Sequence, residues 1–260
     1  MSNFKLKNIS FSYQNSNKLV LDKISTDINA GEYVCVLGKS GCGKSTLLKL
    51  LAGLIFPISG EVLFEDNIIK SAGLDRGVVF QDYGLFPWMT AGENIMLALK
   101  KRYKNKNKSE LKSIALESIN KVGLESKVYN VLPKHLSGGM QQRVAIAQVI
   151  SVNPKVLLMD EPFGALDAVT RAKLQDLILE LWNQSEVKKT VVFITHDVDE
   201  AIYLANRIIV LGQSPSKIIY DKKIDQNEKV DRKDLFTNEK MIELRNELIQ
   251  IINKDINDKV

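Results

Sequence analysis

The run GKSGCGKST, Gly38 to Thr46, constrains this chain more than any other feature. It fits the pattern G-x-x-x-x-G-K-[ST] and lies between YVCVLG, a compact apolar run from Tyr33 to Gly38, and a stretch where Leu47, Leu51 and Leu54 recur at helical spacing. Strand, glycine loop and helix in that order are what phosphate binding requires, and an accidental glycine loop would lack both flanks. Gly38, Gly41 and Gly43 let the backbone around Ser40 and Cys42 turn its N–H groups toward phosphate oxygens, and the following helix N-terminus adds partial positive charge. Lys44 is placed to reach the β- and γ-phosphates, and the hydroxyl of Ser45, beside Thr46, to ligate Mg²⁺. Cys42, just ahead of a helix N-terminus, is expected to favour the thiolate, whereas Cys35 inside the strand is expected to react slowly.

A second run, VLLMDE from Val156 to Glu161, is an apolar strand that delivers carboxylates at its C-terminal end, where open α/β sheets place their ligands. Asp160 suits Mg²⁺ held through water, and Glu161 suits orienting or deprotonating an attacking water. Any buried strand ending in acids would look alike in isolation; with the glycine loop, it defines a P-loop NTPase. TVVFIT, from Thr190, is another continuously apolar run of the kind buried on both faces, and helical stretches at about 167–184 and 197–205 alternate with these strands. That alternation predicts a parallel α/β sheet.

Elsewhere, Phe4 to Ser10 and Val20 to Ile28 predict an antiparallel start, and residues 84–152 a helical region. Within it the KKRYKNKNK run, Lys100 to Lys108, reads as a solvated break before Ser109 as N-cap; Leu111, Ala115, Ser118 and Val122 mark one face and Gly123 the stop. A last amphipathic helix, about 238–252, presents Met241, Leu244, Leu248 and Ile251. The net charge of +5, with 36 Lys and Arg against 31 Asp and Glu, is compatible with nucleic acid, an anionic membrane or phosphate ligands and selects none. Two cysteines make no disulfide framework or four-ligand zinc site and suit reducing cytosol. The N-terminus lacks the apolar segment of a secretory signal, and no apolar run approaches the ~18 residues of a membrane span.

LSGGMQQR, Leu136 to Arg143, resembles the signature motif of ATP-binding cassette (ABC) ATPases. Ser137 followed by Gly138 and Gly139 opens a second phosphate-facing helix; an ordinary serine cap would not explain two glycines where glycine is costly. Other stations of the family follow in order: Gln81 in VFQDY is similar to the Q-loop glutamine, Ala165-Leu166-Asp167 to the D-loop, and His196 in FITHD to the switch histidine. Tyr13 takes the place of the aromatic that stacks on adenine, with Phe11 and Tyr33 as the competing aromatics nearby. Singly, Gln81 could be a surface amide and His196 a core histidine; the ordered set carries the resemblance.

The resemblance, over about residues 3–212, implies an α/β fold: a P-loop NTPase of ABC type with a mostly parallel core sheet, an N-terminal antiparallel β part and an inserted helical subdomain. It implies an ABC ATPase domain over 1–235, the helical subdomain at about 84–152, and a C-terminal amphipathic helix in 236–260. It further implies a head-to-tail homodimer sandwiching two ATP molecules, each between Gly38–Thr46 of one subunit and Ser137, Gly138, Gly139 and Asp167 of the other. On that model ATP and Mg²⁺ are the cofactors. Glu161, His196, Gln81 and Lys44 are catalytic, Ser45, Gln81 and Asp160 hold the metal, and Gln81 links the nucleotide to the helical subdomain that grips a membrane permease.

More narrowly, QDYGLFPWMTAGENI, EPFGALDAVTRAKLQDLI and THDVDEAIYLANRIIVL are similar to the nitrate, sulfonate and taurine importer branch, with thiamine-precursor pyrimidine importers as relatives. This implies a subunit at the cytoplasmic face of the membrane, with integral-membrane permease subunits and an extracytoplasmic solute-binding protein as partners and no nucleic acid. Soluble ABC ATPases that act on nucleic acid usually carry two cassettes or a long coiled-coil insertion, and a P-loop kinase would leave LSGGM and His196 unexplained. Gln148 departs from the arginine usual after the signature, which leaves a local ion pair in doubt. Phe86, Pro87 and Trp88 could form an apolar docking patch or pack inside the subdomain.

Overall fold

The structure is a computed structural model that describes residues 2–14, 18–164, 166–183, 188–225 and 228–257. The chain divides into two compact units, one of residues 1–72 with 187–260 and one of residues 73–186. The polar QNSNK stretch, Gln14 to Lys18, reads in the sequence as a turn between the first two strands; its residues 15–17 lie outside the described residues.

In the first unit, β1 (Ser2–Phe11) pairs antiparallel with β2 (Leu21–Asn29) on one side and β4 (Ser59–Phe64) on the other, and β5 (Asn67–Ile68) closes the edge. In β1, Phe4 and Leu6 are buried, but so are Ile9 and Phe11, which have the opposite parity. A bulge resolves this: Asn8 takes φ 49° where the register with β2 shifts between Leu6 and Ile9, flipping the pleat so that both pairs face the core.

The same unit holds β3 (Tyr33–Leu37), parallel to β8 (Thr190–Ile194) on one side and to β9 (Arg207–Leu211) on the other. Every residue of the three is buried, as a sheet covered on both faces demands. β10 (Ile218–Lys223) joins β9 antiparallel and exposes Ile219 together with the charged Asp221, Lys222 and Lys223. Arg207 ties the two sheets together: it forks onto Asp221 at 2.7 and 2.8 Å, meets Glu32 at 3.1 Å, and donates to Thr26 Oγ1 and the Asp27 carbonyl. Such a buried guanidinium persists only because its donors are matched.

Helix α1 (Lys44–Ala52) follows β3 and stops at Gly53, whose φ of 72° closes the end onto the Leu50 and Lys49 carbonyls. Leu54, expected on this helix, therefore lies beyond it and is exposed. A side chain at Gly53 would also strike the Ser71 carbonyl at 2.4 Å. Two more helices complete the unit, α6 (Val198–Leu204) and α7 (Glu239–Asn257), the latter running past the expected end near 252.

In the second unit, β6 (Arg76–Val79) pairs parallel with β7 (Val156–Asp160). Helices α2 (Ala91–Arg102), α3 (Lys108–Lys121) and α4 (Gly138–Ser151) pack on one another, and α5 (Ala168–Asn183) touches α4. Both α2 and α3 open on capping boxes, Thr90 with Glu93 and Asn107 with Glu110. The N-cap is thus Asn107, not Ser109: its amide oxygen accepts from Glu110 N at 3.0 Å while Glu110 returns a bond to Asn107 N, a reciprocal pair that Ser109 lacks. Gly123, at φ 69°, does end α3, with Leu124 N bonding back to the Ile119 carbonyl. Gln148 lies half-buried on α4, its carbonyl accepting from Ser151 Oγ at 2.7 Å.

Candidate functional site

The phosphate loop leaves β3 at Gly38, which any Cβ would drive to 2.7 Å from both the Leu211 carbonyl and Cys42 Sγ. Lys39, Ser40 and Gly41 then rise into solvent, with open space around the Gly41 Cα, and Cys42 to Lys44 return to the interior. Gly43 is the N-cap of α1 at φ 104°, a backbone conformation that other residues rarely adopt, and as a glycine it brings no side chain of its own to cap the helix. Lys44 is buried, and its ammonium donates to the Gly38 and Lys39 carbonyls at 2.8 and 3.2 Å, which holds it across the loop's mouth. A glycine-rich loop with an ammonium held against its carbonyls at a helix N-terminus is suited to an anion.

Tyr13, just after β1, is half-exposed; its hydroxyl lies 3.0 Å from Thr46 Oγ1 and its ring stands edge-on to Phe11 with centroids 4.9 Å apart. Tyr33, the other aromatic considered for this place, is fully buried. His196 is exposed after β8, next to Asp197, which caps α6 by accepting from Asp199 N and Glu200 N. The turn is stiffened from inside, since Thr195 Oγ1 donates to the buried Glu200 at 2.6 Å and accepts from Asp197 N.

Cys42 differs from expectation. It is buried with a relative exposure of 3%, and burial pushes its thiol up against the opposing pull of Lys44. The helix terminus therefore does not produce a thiolate here, because desolvation outweighs it. Cys35 is fully buried and its thiol is pushed up by the same cause.

In the second unit, Asp160 ends β7 with 8% of its surface exposed, and Glu161 follows half-buried at φ 43°. A left-handed non-glycine residue costs about 1–3 kcal/mol and turns the carboxylate sharply away from the strand direction. Gln81 is exposed in the turn after β6. Ser137 caps α4, accepting from Met140 N at 3.3 Å, with Gly138 and Gly139 in the first turn. These three line a cavity of about 470 Å³ together with Arg143, Asp167 and Thr170. Asp167 is exposed and caps α5 through bonds from Thr170 and Val169 N–H groups, which hold its carboxyl below the ordinary range. Of the expected D-loop, Ala165 lies outside the described residues.

Gly139 is needed for a close approach, since a Cβ there would meet Thr170 Cγ2 at 2.8 Å. Arg143 and Thr170 were not singled out from sequence; Arg143 ends the motif that carries Ser137, and Thr170 stands three residues after Asp167. Phe86 and Trp88 are both exposed, Trp88 at 70%, with ring centroids 5.3 Å apart, so neither is a core residue.

The oxygen donors nominated for Mg²⁺, the Ser45 hydroxyl, the Gln81 amide and the Asp160 carboxylate, are of the hard type this ion takes. Mg²⁺ at such sites is completed by water and substrate phosphates rather than by a cage of carboxylates. Taken one by one, each nominated donor is of a type that suits the ion.

A family model described as ABC transporter matches residues 21–164. The aliphatic sulfonates import ATP-binding protein of Bacillus cereus is 43% identical over 243 residues, 92% of this chain and 91% of that protein. The nitrate import ATP-binding protein of Synechococcus elongatus is 44% identical over 201 residues, 77% of this chain and 72% of that one. Among solved structures, a dimeric ATP-binding cassette in a post-hydrolysis state bound to ADP and Pi superposes with a TM-score of 0.77 at 34% identity, covering 85% of this chain and 99% of that chain.

Proposed function

The chain belongs to the ABC transporter family and is an ATPase of it, and we propose that its hydrolysis powers the import of a small solute through a separate membrane permease. Nitrate and sulfonates are the solutes favoured, on the strength of the import proteins it resembles; taurine is kept with them from the sequence motifs, and thiamine-precursor pyrimidines are the alternative. The observation that carries the reading is the glycine loop: Lys44 pinned by the Gly38 and Lys39 carbonyls at the N-terminus of a helix whose N-cap is Gly43.

In the proposed reaction, a water oxygen bonds to the γ-phosphorus, the bond to the β,γ-bridging oxygen breaks, and ADP and phosphate leave. Glu161 accepts the water's proton. Lys44 and His196 hold the γ-phosphate, and Tyr13 stacks on adenine. Ser137, Gly138, Gly139 and Asp167 complete the site from a second subunit. Mg²⁺, held by Ser45, Gln81 and Asp160, would neutralise charge on the β- and γ-oxygens.

Among the described residues no helix is long and apolar enough to cross a membrane, and translocation is assigned to a separate permease, as the family implies. We place this subunit at the cytoplasmic face of the membrane, docked through the exposed Phe86–Trp88 surface beside Gln81, with an extracytoplasmic binding protein supplying the solute. The reading is tested in a strain deleted for the subunit, grown with nitrate, an alkanesulfonate, taurine or a thiamine-precursor pyrimidine as the required nutrient. Loss of growth on one of them, restored by the wild-type chain and not by Lys44→Ala, is expected. Unchanged uptake of all four would overturn the solute class, and phosphate release by Lys44→Ala at the wild-type rate would overturn the ATP site.

A further inference from the structure

Helix α7 is anchored on two segments of its own unit, the first turn of α6 and the loop after β9. Its buried side, Met241, Leu244 and Leu248, seats it firmly, and it packs against α6. Toward its N-terminal half, Arg245 Nε donates to Asp199 Oδ1 at 2.7 Å, in the first turn of α6 and three residues after His196. Toward its C-terminal end, Asp255 accepts from the Gln213 backbone N–H at 2.8 Å, and its own carbonyl accepts from Gln213 Nε2 at 2.9 Å. The two anchor points are ten residues apart, roughly 15 Å along the helix.

Each anchor leads directly to a phosphate-facing group. Asp199 and Glu200 donate backbone N–H groups to Asp197, and Glu200 also accepts from Thr195, so a shift of α6 moves the Thr195-His196-Asp197 turn as one piece. Gln213 belongs to the loop after β9. Here the fully buried Ser216 donates between the Gly212 carbonyl, at 2.8 Å, and the Cys42 carbonyl inside the phosphate loop. One residue earlier, the Leu211 carbonyl is the atom that excludes any side chain at Gly38. A second hold on α6 comes from the same tail: Lys229 Nζ donates to the Ile202 and Tyr203 carbonyls at 3.0 Å each, and the Arg232 guanidinium lies over the Tyr203 ring at 4.1 Å.

We propose that α7 is a positioning brace which fixes the distance between the phosphate loop and His196, with Arg245 and Asp255 as its two working contacts. The proposal rests on the reading that His196 contacts the γ-phosphate. A brace of this kind acts on the transition state, where placement to a fraction of an ångström matters, more than on ground-state ATP affinity.

The test is steady-state hydrolysis by the full chain, with kcat expressed per molecule that binds a fluorescent ATP analogue, so that unfolded protein does not count. Arg245→Gln combined with Asp255→Asn is expected to lower kcat about tenfold with KM changed less than about twofold, while Arg245→Lys keeps most of the rate. In a His196→Ala background, Arg245→Gln should cost nothing further. The proposal is overturned by a double variant that turns over at the wild-type rate, by a rise in KM with kcat unchanged, or by a full further loss on top of His196→Ala. His196→Ala with wild-type turnover would instead sink the histidine's role; the brace then stands or falls on whether Asp255→Asn alone lowers kcat.

Discussion

The hydroxyl of Tyr13 lies 3.0 Å from that of Thr46, so the aromatic proposed to face adenine is fastened to the helix that follows the phosphate loop. Phe11 props the same ring edge-on from behind. Stacking of a base on an aromatic ring is worth ~1–3 kcal/mol, so Tyr13→Ala should weaken ATP binding about tenfold or more. Tyr13→Phe, which loses only the bond to Thr46, should cost about threefold or less, near the low end of a neutral hydrogen bond. Calorimetric titration distinguishes the two, and equal losses would show that the ring does not stack.

Glu161→Gln preserves shape and removes the proposed base. Nucleotide binding should survive while turnover falls by about a hundredfold or more, within the usual range for general-base loss. With product formation stalled, ATP should drive the variant into a dimer visible by size-exclusion chromatography. A variant that hydrolyses normally and stays monomeric would contradict the assignment.

The Cys42 thiol is buried and shifted up, which makes it a poor nucleophile at neutral pH. Maleimide should label the native protein slowly, faster as pH rises, and labelling should abolish hydrolysis, because Cys42 Sγ already fills the space against Gly38. ATP should slow the labelling further. Mass spectrometry of the modified peptide against residual activity decides it, and full activity after complete Cys42 modification would refute the packing.

Trp88 is exposed at 70% and leans on Phe86. Trp88→Ala should leave the melting temperature and basal ATPase within error while permease association and solute uptake fail. Co-purification with the permease measures this directly; unchanged association would put the docking surface elsewhere.

Acid stability should depend on Glu32. Burial works to raise its pKa, but hydrogen bonds from Lys223, the Asn29 backbone and side chain, and Arg207 overcome it and bring the value down to about 2. A carboxylate whose folded pKa lies below its unfolded value stabilises the fold fully above the unfolded pKa and loses that contribution as pH falls through the folded one. Urea midpoints should therefore drop between about pH 5 and pH 2 more steeply in the wild type than in Glu32→Gln.

The phosphate loop, the acid-ended strand and the signature helix were legible because their chemistry demands fixed residue types at short spacing. The strands β4, β6 and β10 were not singled out: RGVV is only four residues long, and IIYDKK carries three charged residues because it is a sheet edge facing water. Leu54 shows the limit of periodicity, since the spacing continues past Ala52 while Gly53 turns the chain. Asn107 outcompeted Ser109 through a partner three residues on, Glu110, a pair that periodicity alone does not rank. The fate of Cys42 was beyond sequence altogether, because it packs against Gly38 and its carbonyl is held by Ser216, far along the chain.

The first turns of α2 and α3 are closed by capping boxes, whereas α1 begins at a glycine that has no side chain to do the same. A nucleotide bound at that end would be a structural member as well as a fuel. Whatever occupies that end only in the folded chain adds RT ln(1 + [L]/Kd) to its stability, about 2.7 kcal/mol at a hundredfold excess over Kd. In a cell, the durability of this subunit would then rise and fall with the nucleotide supply, and a starved cell would hold a motor that is both idle and easier to unfold.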